Sequence, residues 1–327
     1  MNLYRKLIIA ALLLTVGVVA LGAYVRLSDA GLGCPDWPGC YGKITPHLAS
    51  EHIDEALAQN PEGPVSHAKA WKEMVHRYFA GTLGLLVLGI AILSIKHRFV
   101  AKGSPALPIA LLSIIVFQAL LGMWTVTELL KPFIVTGHLV GGMTTLALLV
   151  WLWQRESGPS LSGMADVRAL RLWGVLALAA VAVQIVLGGW VSTNYAALAC
   201  QDFPLCHGEW VPEMHFEPAF TLHRELGMDA SGNFLSLQAL TAIHWVHRLW
   251  AIGVLAFVGI MAVKLVHQRG LCVFGALLGV LLLAQIGMGV ANVWLSLPLA
   301  LAVAHNAGAA LLLATLVVIN FKLFRMR

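Results

Sequence analysis

Charged side chains are scarce in this chain. Asp, Glu, Lys and Arg make up 11% of the 327 residues, against about a quarter in a soluble globular domain, and the shortage excludes a soluble enzyme. Short segments of alternating apolar and polar residues, the mark of an outer-membrane barrel, are also missing. What fills the chain is apolar: 59% of residues are hydrophobic and the mean hydropathy is +0.81. Eight apolar runs stand near residues 7–25, 74–95, 107–127, 133–153, 171–193, 243–263, 272–294 and 298–320, each close to the roughly 20 residues a helix needs to cross a bilayer. The expected fold is an all-α integral membrane protein with eight transmembrane helices.

The net charge of +5 is distributed by side of the membrane, and no nucleic-acid partner is expected. With the amino terminus placed in the cytoplasm, the inner segments hold most of the Lys and Arg, including Arg5, Lys6, Lys96, Arg98, Lys102, Arg155, Arg168, Arg171, Lys264, Arg269, Lys322, Arg325 and Arg327. The outer segments hold fewer, among them Arg26, Lys43, Lys131 and Arg224, together with most of the acidic residues. The bias of Lys and Arg toward the cytoplasm predicts both termini inside and the long loops outside.

The chain is written twice at an offset of about 167 residues, the kind of internal repeat that decides an architecture. G-A-Y-V-R-L-S-D-A-G-L-G-C (residues 22–34) has its counterpart in G-G-W-V-S-T-N-Y-A-A-L-A-C (188–200), and each leads into C-x5-C. V-H-R then recurs with His76 and His247, a Gln-containing helix recurs, and T-G-H with His138 is matched by A-H-N with His305. Four spans per half is an even number, so the halves share one orientation about an axis along the membrane normal, unlike inverted transporter repeats. The expected organisation is two four-helix bundles related by a parallel internal repeat, 1–153 and 169–327, joined by a polar cytoplasmic linker at 154–168 that contains S-G-P-S-L-S-G. Arg5 and Lys6 before the first run imitate a signal peptide, but that run is the counterpart of 171–193 and is expected to stay in the bundle. The loops 27–72 and 194–241 are too long for simple turns. In the first, S-E-H-I-D-E-A-L-A-Q-N has helical periodicity with Ser50 as N-cap candidate, predicting an amphipathic helix over the bundle.

Of 13 histidines, His76, His138, His247 and His305 lie within apolar spans, near the outer ends of even-numbered helices. Ionisable groups in hydrocarbon usually face a bundle interior and a partner. Each half supplies one imidazole from its second helix and one from its fourth. Two imidazoles make a poor zinc cage but suit the axial positions of a haem. Gly137, Gly141, Gly142, Gly308, Ala309 and Ala310 beside the fourth-helix histidines leave room for a flat macrocycle or simply allow close helix packing. Arg77 and Arg248 can pair with haem propionates or snorkel to headgroups. Glu73, one turn before His76, has His244 as its counterpart. A carboxylate there can serve as a base or stabilise positive charge, or be a solvated helix-start residue.

The loop cysteines fall where an oxidising compartment allows disulfides, pairing Cys34 with Cys40 and Cys200 with Cys206. Both pairs can pin their loops, and C-P-D-W-P-G-C can also cycle between thiol and disulfide. Cys206-His207 offers a weak copper or zinc pair. Cys272 is expected to pack near the cytoplasmic end of the seventh span. Covalent c-type haem is not expected, since C-x-x-C-H is absent.

The ordered set E-x-x-H-R (Glu73 to Arg77), T-G-H (His138), V-H-R (His247) and A-H-N (His305), with two outer Cys pairs, resembles the heme A synthase family over nearly the whole chain. The resemblance implies oxidation of the C8 methyl of heme O to the formyl group of heme A for cytochrome oxidase assembly. It implies a bound haem b on His247 and His305, with Glu73, His76 and His138 lining the substrate-haem site in the first half. It further implies heme O synthase and the oxidase assembly machinery as partners, an electron partner not identified by sequence, and a multi-pass place in a bacterial cytoplasmic membrane. The absence of a long Arg/Ser-rich leader fits the bacterial form. A haem with two His ligands has no open position for O2, so either His76 or His138 dissociates during turnover or the substrate loses electrons and is trapped by water. The rival reading is a di-haem electron carrier of the quinol-oxidising cytochrome b type, which favours haems at two depths. A transporter built from parallel repeats would leave the Cys pairs without a role.

Overall fold

A computed structural model describes residues 2–96, 103–157 and 167–325. In chain order the helices are α1 (Leu3–Leu27), α2 (Ser50–Gln59), α3 (His67–Lys96), α4 (Ala106–Thr127), α5 (Pro132–Ser157), α6 (Val167–Thr193), α7 (Phe216–Phe220), α8 (Leu237–Val266), α9 (Cys272–Trp294) and α10 (Leu299–Arg325), with a 3-10 turn at Ala196–Leu198. The strand-type pairing among the described residues is limited to isolated bridges such as Cys40 with Lys43 and Cys206 with Glu209. Among the described residues eight helices, all but α2 and α7, are long and apolar enough to cross a membrane. The chain is a multi-pass membrane protein.

All eight expected spans are present, and several are longer than their apolar runs. α3 begins at His67 and α8 at Leu237, where hydropathy places the starts near 74 and 243. Hydropathy starts these spans late because Lys72 and Glu73 precede the first run and Gln238 and Thr241 the second, yet Glu73 and Thr241 are buried, and a polar residue with a partner need not end a helix. The segment 50–59 is helical, and its Ile53 is fully buried with Cys34, Cys40, Ala70 and Met74. Ser50 is not its N-cap. Ala49 holds that position without a side-chain bond, because the Ala49 N–H already donates to the Pro46 carbonyl and coils the chain one residue earlier. The expected linker lies partly in helix, since α5 runs to Ser157 and α6 starts at Val167. Its centre, 158–166, lies outside the described residues, as do Arg98, Lys102 and Arg327. Cys272 is exposed as the first residue of α9 and does not pack as expected. A helix's first turn has only one neighbouring turn to cover it.

α1 packs on α3 and α5, and α4 joins α3 to α5; α6 packs on α8 and α10, and α9 joins α8 to α10. These two groups of four meet through α1 with α10, α5 with α10 and α5 with α6. The largest buried cluster spans that seam: Val19, Met143, Leu146 and Val150 share it with Leu170, Ala177, Leu313 and Val317. A second cluster, including Tyr4, Ile8, Val87, Ile90 and Leu149, fills the first group. On the outside, Leu85 and Leu283 stand 71% and 67% exposed, as residues facing lipid tails do at no cost, since lipid is as apolar as leucine.

Polar bonds cross the seam at the end that carries the loops. The Arg26 guanidinium donates to the Ser192 carbonyl at 2.8 Å, the Tyr195 hydroxyl donates to Asp29 at 2.8 Å, and the Thr136 and Thr193 hydroxyls lie 3.2 Å apart. At the opposite end the seam is aromatic, with the Trp151 and Phe321 rings in an edge contact at 5.0 Å.

The first loop lies directly on α3. A Cβ added to Gly33 would come within 2.5 Å of the Lys69 carbonyl carbon and 2.6 Å of the Ala70 nitrogen, both backbone atoms held by the helix. Gly33→Ala is therefore expected to destabilise the protein by about 1–3 kcal/mol, the range for overpacking. A thermal-unfolding scan in detergent reads the loss, and an unchanged midpoint would show that the loop yields freely.

Candidate functional site

The two long loops end in the same local geometry. Tyr41 and Gly42 have φ of 50° and 68°, and His207 and Gly208 have φ of 56° and 79°, the successive left-handed pair of a tight hairpin turn. The Asp36 carboxylate accepts the N–H groups of Tyr41 and Gly42 at 2.6 and 2.7 Å. Asp202 accepts those of His207 and Gly208, both at 2.8 Å. Disulfides Cys34–Cys40 and Cys200–Cys206 close each ring. Cys206 is thus bonded to sulfur and the His207 ring meets the Thr241 hydroxyl at 3.1 Å, which removes the weak copper or zinc pair.

Beneath each ring stands an arginine. Arg77 donates to the carbonyls of Asp36 at 2.8 Å, Pro38 at 3.3 Å and Gly39 at 2.5 Å. Arg248 donates to those of Asp202 at 2.9 Å, Leu205 at 3.0 Å and Cys200 at 2.8 Å. Both guanidiniums, expected at propionates, are engaged with loop backbone.

Glu73 and His244 complete the clamps. Glu73 accepts the Cys34 N–H at 3.0 Å and pairs with Arg77 at 2.5 Å, so it is buried and partnered, unlike a solvated helix-start residue. In the other loop the Cys200 N–H reaches His244 Nδ1 at 3.2 Å, and Arg248 Nε lies 3.2 Å from His244 Nε2. A neutral imidazole accepts at one nitrogen only. His244 therefore takes one of these donors at a time, whereas the Glu73 carboxylate takes both.

One turn further along lie the histidines. His76, His138, His247 and His305 each fall within about the first three turns of their helices, at the loop end of the bundle. All four are half-buried. The His76 and His138 rings are 6.4 Å apart between centroids and nearly perpendicular, at 80°. Each ring turns its Cε1 edge to a glycine of a neighbouring helix. A Cβ would lie 3.0 Å from His76 at Gly22, 3.5 Å from His138 at Gly122, 3.1 Å from His247 at Gly188 and 3.2 Å from His305 at Gly289. The glycines beside the fourth-helix histidines do a different job: a Cβ on Gly141 would overlap the Gln118 amide, and one on Gly308 the Gln285 amide.

The donor set has the features of a two-point metal site. Nδ1 of His76, His138 and His305 is buried without a hydrogen-bond partner. Among the described residues no three His, Cys, Asp or Glu side chains converge as a metal cage, so any metal here draws its remaining ligands from outside the protein, as haem iron does from its macrocycle. A metal bound at about 2.0 Å by both nitrogens sets two imidazole centres at a separation of the kind found for His76 and His138. The residues fit a haem.

Residues 5–317 match the family described as cytochrome oxidase assembly protein, COX15-CtaA. The chain belongs to this family. It is 41% identical over 320 residues to the heme A synthase of Shewanella oneidensis, covering 96% of this chain and 94% of that relative. It is 26% identical over 322 residues to the heme A synthase of Halalkalibacterium halodurans, with 96% of both chains covered. A third heme A synthase, from Rhizorhabdus wittichii, is 27% identical over 344 residues, 96% of this chain and 92% of the relative.

Within this COX15-CtaA chain, several working residues escape a reading by motif. Asp36, Asp202 and the turn glycines were legible as C-x-D-x-P-x-C-x-G, written at Cys34 and again at Cys200. Gly22, Gly122, Gly188 and Gly289 stand in the repeated segments but reveal their purpose only when the neighbouring helix is known. Arg224 had no sequence signal; it donates to Asn194 at 2.5 Å and stacks over Trp190.

The second loop is sensitive to acid. The N–H groups of Gly208 and His207 hold the Asp202 carboxyl below its ordinary value of 3.8. A depressed carboxylate contributes stability above its unfolded value and loses it as pH falls through the folded value. Hydrogen exchange in 200–209 is expected to be faster in Asp202→Asn than in the parent at pH 7, with the difference closing below about 3.8. Equal exchange of the two proteins at pH 7 would refute the role given to the carboxylate.

Proposed function

We propose that this chain is a heme A synthase that oxidises the C8 methyl of heme O to a formyl group. The observation that carries the reading is the set of four half-buried imidazoles at one end of the bundle, in a chain 41% identical over nearly its whole length to a heme A synthase. In this reading the halves 1–153 and 169–327 are parallel repeats. The matching helix neighbours, the paired clamps and the glycine opposite each histidine support it. His247 and His305 hold a resident haem b, and His76 and His138 receive the substrate. The clamped loops face outward, with both termini in the cytoplasm of a bacterium. Heme O synthase supplies the substrate, and cytochrome oxidase assembly consumes the product.

The resident haem supplies one-electron chemistry when bound. The chain's own residues do the rest. Glu73 holds a fixed negative charge one turn from His76, oriented by Arg77 and the Cys34 N–H, where it stabilises positive charge developing on the substrate or takes up its proton. The disulfide loops cover this end of the bundle and limit water. A di-haem electron carrier would favour sites at two depths, whereas these four histidines share one end.

His247→Ala and His305→Ala are each expected to lower haem b content or turn its spectrum high-spin, and unchanged low-spin spectra in both would sink the ligand assignment. For Glu73 two variants separate charge from clamp. Glu73→Gln keeps an acceptor for the Cys34 N–H, and Glu73→His reproduces the arrangement at His244. Both are expected to retain haem b while conversion falls on the order of 10²-fold, as for loss of a charge-stabilising group, with heme O or a hydroxylated intermediate accumulating. Normal heme A output from either folded variant would deny the carboxylate a catalytic role.

A further inference from the structure

Three cations stand at the loop end of the first-half histidine pair, at positions where the second half has none. On α3, Lys72 is one turn and Lys69 two turns before His76, on the same helix face. On α1, Arg26 is one turn beyond Gly22, the glycine that meets the His76 ring. At the same spacings from His247 and Gly188 the chain has Ile243, Leu240 and Ser192, and the first two pack into an apolar cluster with Trp190. The second half has Arg224 at this end, but its guanidinium is engaged with Asn194 and with the carbonyls of Thr221 and Met228.

The first-half cations keep donors in reserve. Among the described residues neither the Lys69 nor the Lys72 ammonium has a hydrogen bond or an ion pair, and Lys72 only faces the Tyr24 ring at 5.1 Å. Arg26 donates one Nη to the Ser192 carbonyl at 2.8 Å and reaches the exposed Asp29 carboxylate at 3.6 Å with the other. Its Nε is buried without an acceptor, which is costly until an acceptor arrives. A cleft of about 250 Å³ opens beside these groups, lined by Arg26, Lys69, Leu130 and Leu226 among others, with Asp29 and Glu62 exposed at its surface. Cations and leucines together suit a molecule that carries carboxylates on an apolar body, since Arg binds a carboxylate through two N–H groups at once. A porphyrin seated at His76 and His138 is such a molecule, and its two propionates are its charged edge. Arg77, the cation next to His76 in sequence, is already engaged with the first loop.

We propose that Arg26, Lys69 and Lys72 bind the propionates of the substrate porphyrin, so that the first-half site selects a porphyrin by its free carboxylates. This rests on the reading of His76 and His138 as the substrate site. The charged edge then points toward the loops and the rest of the macrocycle lies deeper between the helices, which fixes how the ring is turned in its own plane. In heme O the C8 methyl shares a pyrrole ring with one propionate. This orientation therefore brings the methyl to the loop side of the site, where Glu73 stands one turn beyond His76.

The test uses the full chain in detergent, as isolated with its resident haem, titrated with haemin or with haemin dimethyl ester and followed by Soret absorbance. The parent is expected to bind haemin about 10-fold or more tightly than the ester, the worth of one charge-assisted hydrogen bond. In Arg26→Gln, and in a variant carrying both Lys69→Gln and Lys72→Gln, that preference is expected to fall because haemin binds more weakly while the ester binds as before. Residues that only supported the fold would weaken both ligands together. Equal affinities in the parent, or a preference within twofold of the parent's in either folded variant, overturn the proposal. Should Arg26→Gln fail to fold, since Arg26 also bridges to Ser192, the double lysine variant decides. Excess phosphatidylglycerol in the detergent is expected to leave the preference intact; its loss would assign the cations to lipid headgroups and overturn the proposal. Failure of the underlying reading is seen separately, as haemin binding that is unaltered in both His76→Ala and His138→Ala.

Discussion

A guanidinium carries five N–H donors in a rigid fork and no acceptor, so wherever it is buried it dictates which carbonyls gather round it. Arg77 and Arg248 stand side by side in sequence with His76 and His247, and each collects three carbonyls from a disulfide-closed ring. The ring supplies those carbonyls at fixed positions because an aspartate ties its hairpin turn from within. A flexible loop could satisfy the same arginine only by losing the entropy of all its residues. The order of α3 and α8 at their loop ends, and with it the setting of two of the four histidines, follows from this arrangement.

Membrane helices lack the hydrophobic drive that joins soluble domains, since lipid tails replace one apolar contact with another. The seam between the two groups of helices therefore depends on close packing and on polar bonds. Its packed centre runs from Val19 and Leu146 to Leu313 and Val317. Its polar bonds, through Arg26, Tyr195 and the Thr136–Thr193 pair, lie at the loop end, with Lys131 adding a 3.4 Å contact to Glu225 of the second loop. The two groups are held most specifically at the level of the histidines.

Much of this was legible in the residues alone. Eight spans follow from hydropathy, and the histidines announce themselves as ionisable groups in apolar runs. The disulfides follow from two C-x5-C spacings in long loops. What was not legible has a common cause. Arg77 and Arg248 look available for an acidic ligand until the loop carbonyls that occupy them are seen, and a backbone carbonyl leaves no trace in sequence. Glu73 looks like a break in symmetry, but Glu73 and His244 occupy the same place in their clamps and differ in how many donors they can accept. Gly141 and Gly308, read as room for a macrocycle, give room to glutamines instead. Their neighbours on adjacent helices are settled by packing, which spacing along one helix does not encode.

The glycine opposite each imidazole has a structural consequence for these histidines. At Gly22, Gly122, Gly188 and Gly289 no side chain stands between the helix backbone and the ring, so the reach of the imidazole's Cε1 edge sets how near the two helices come. The rings are spacers. Shortening one to alanine removes the atoms nearest the glycine, which has nothing to extend in their place, and leaves a void about the size of the ring. The helices must then close over that void or tolerate it at a cost that grows with its volume. These four histidines are thus structural members of the bundle in their own right.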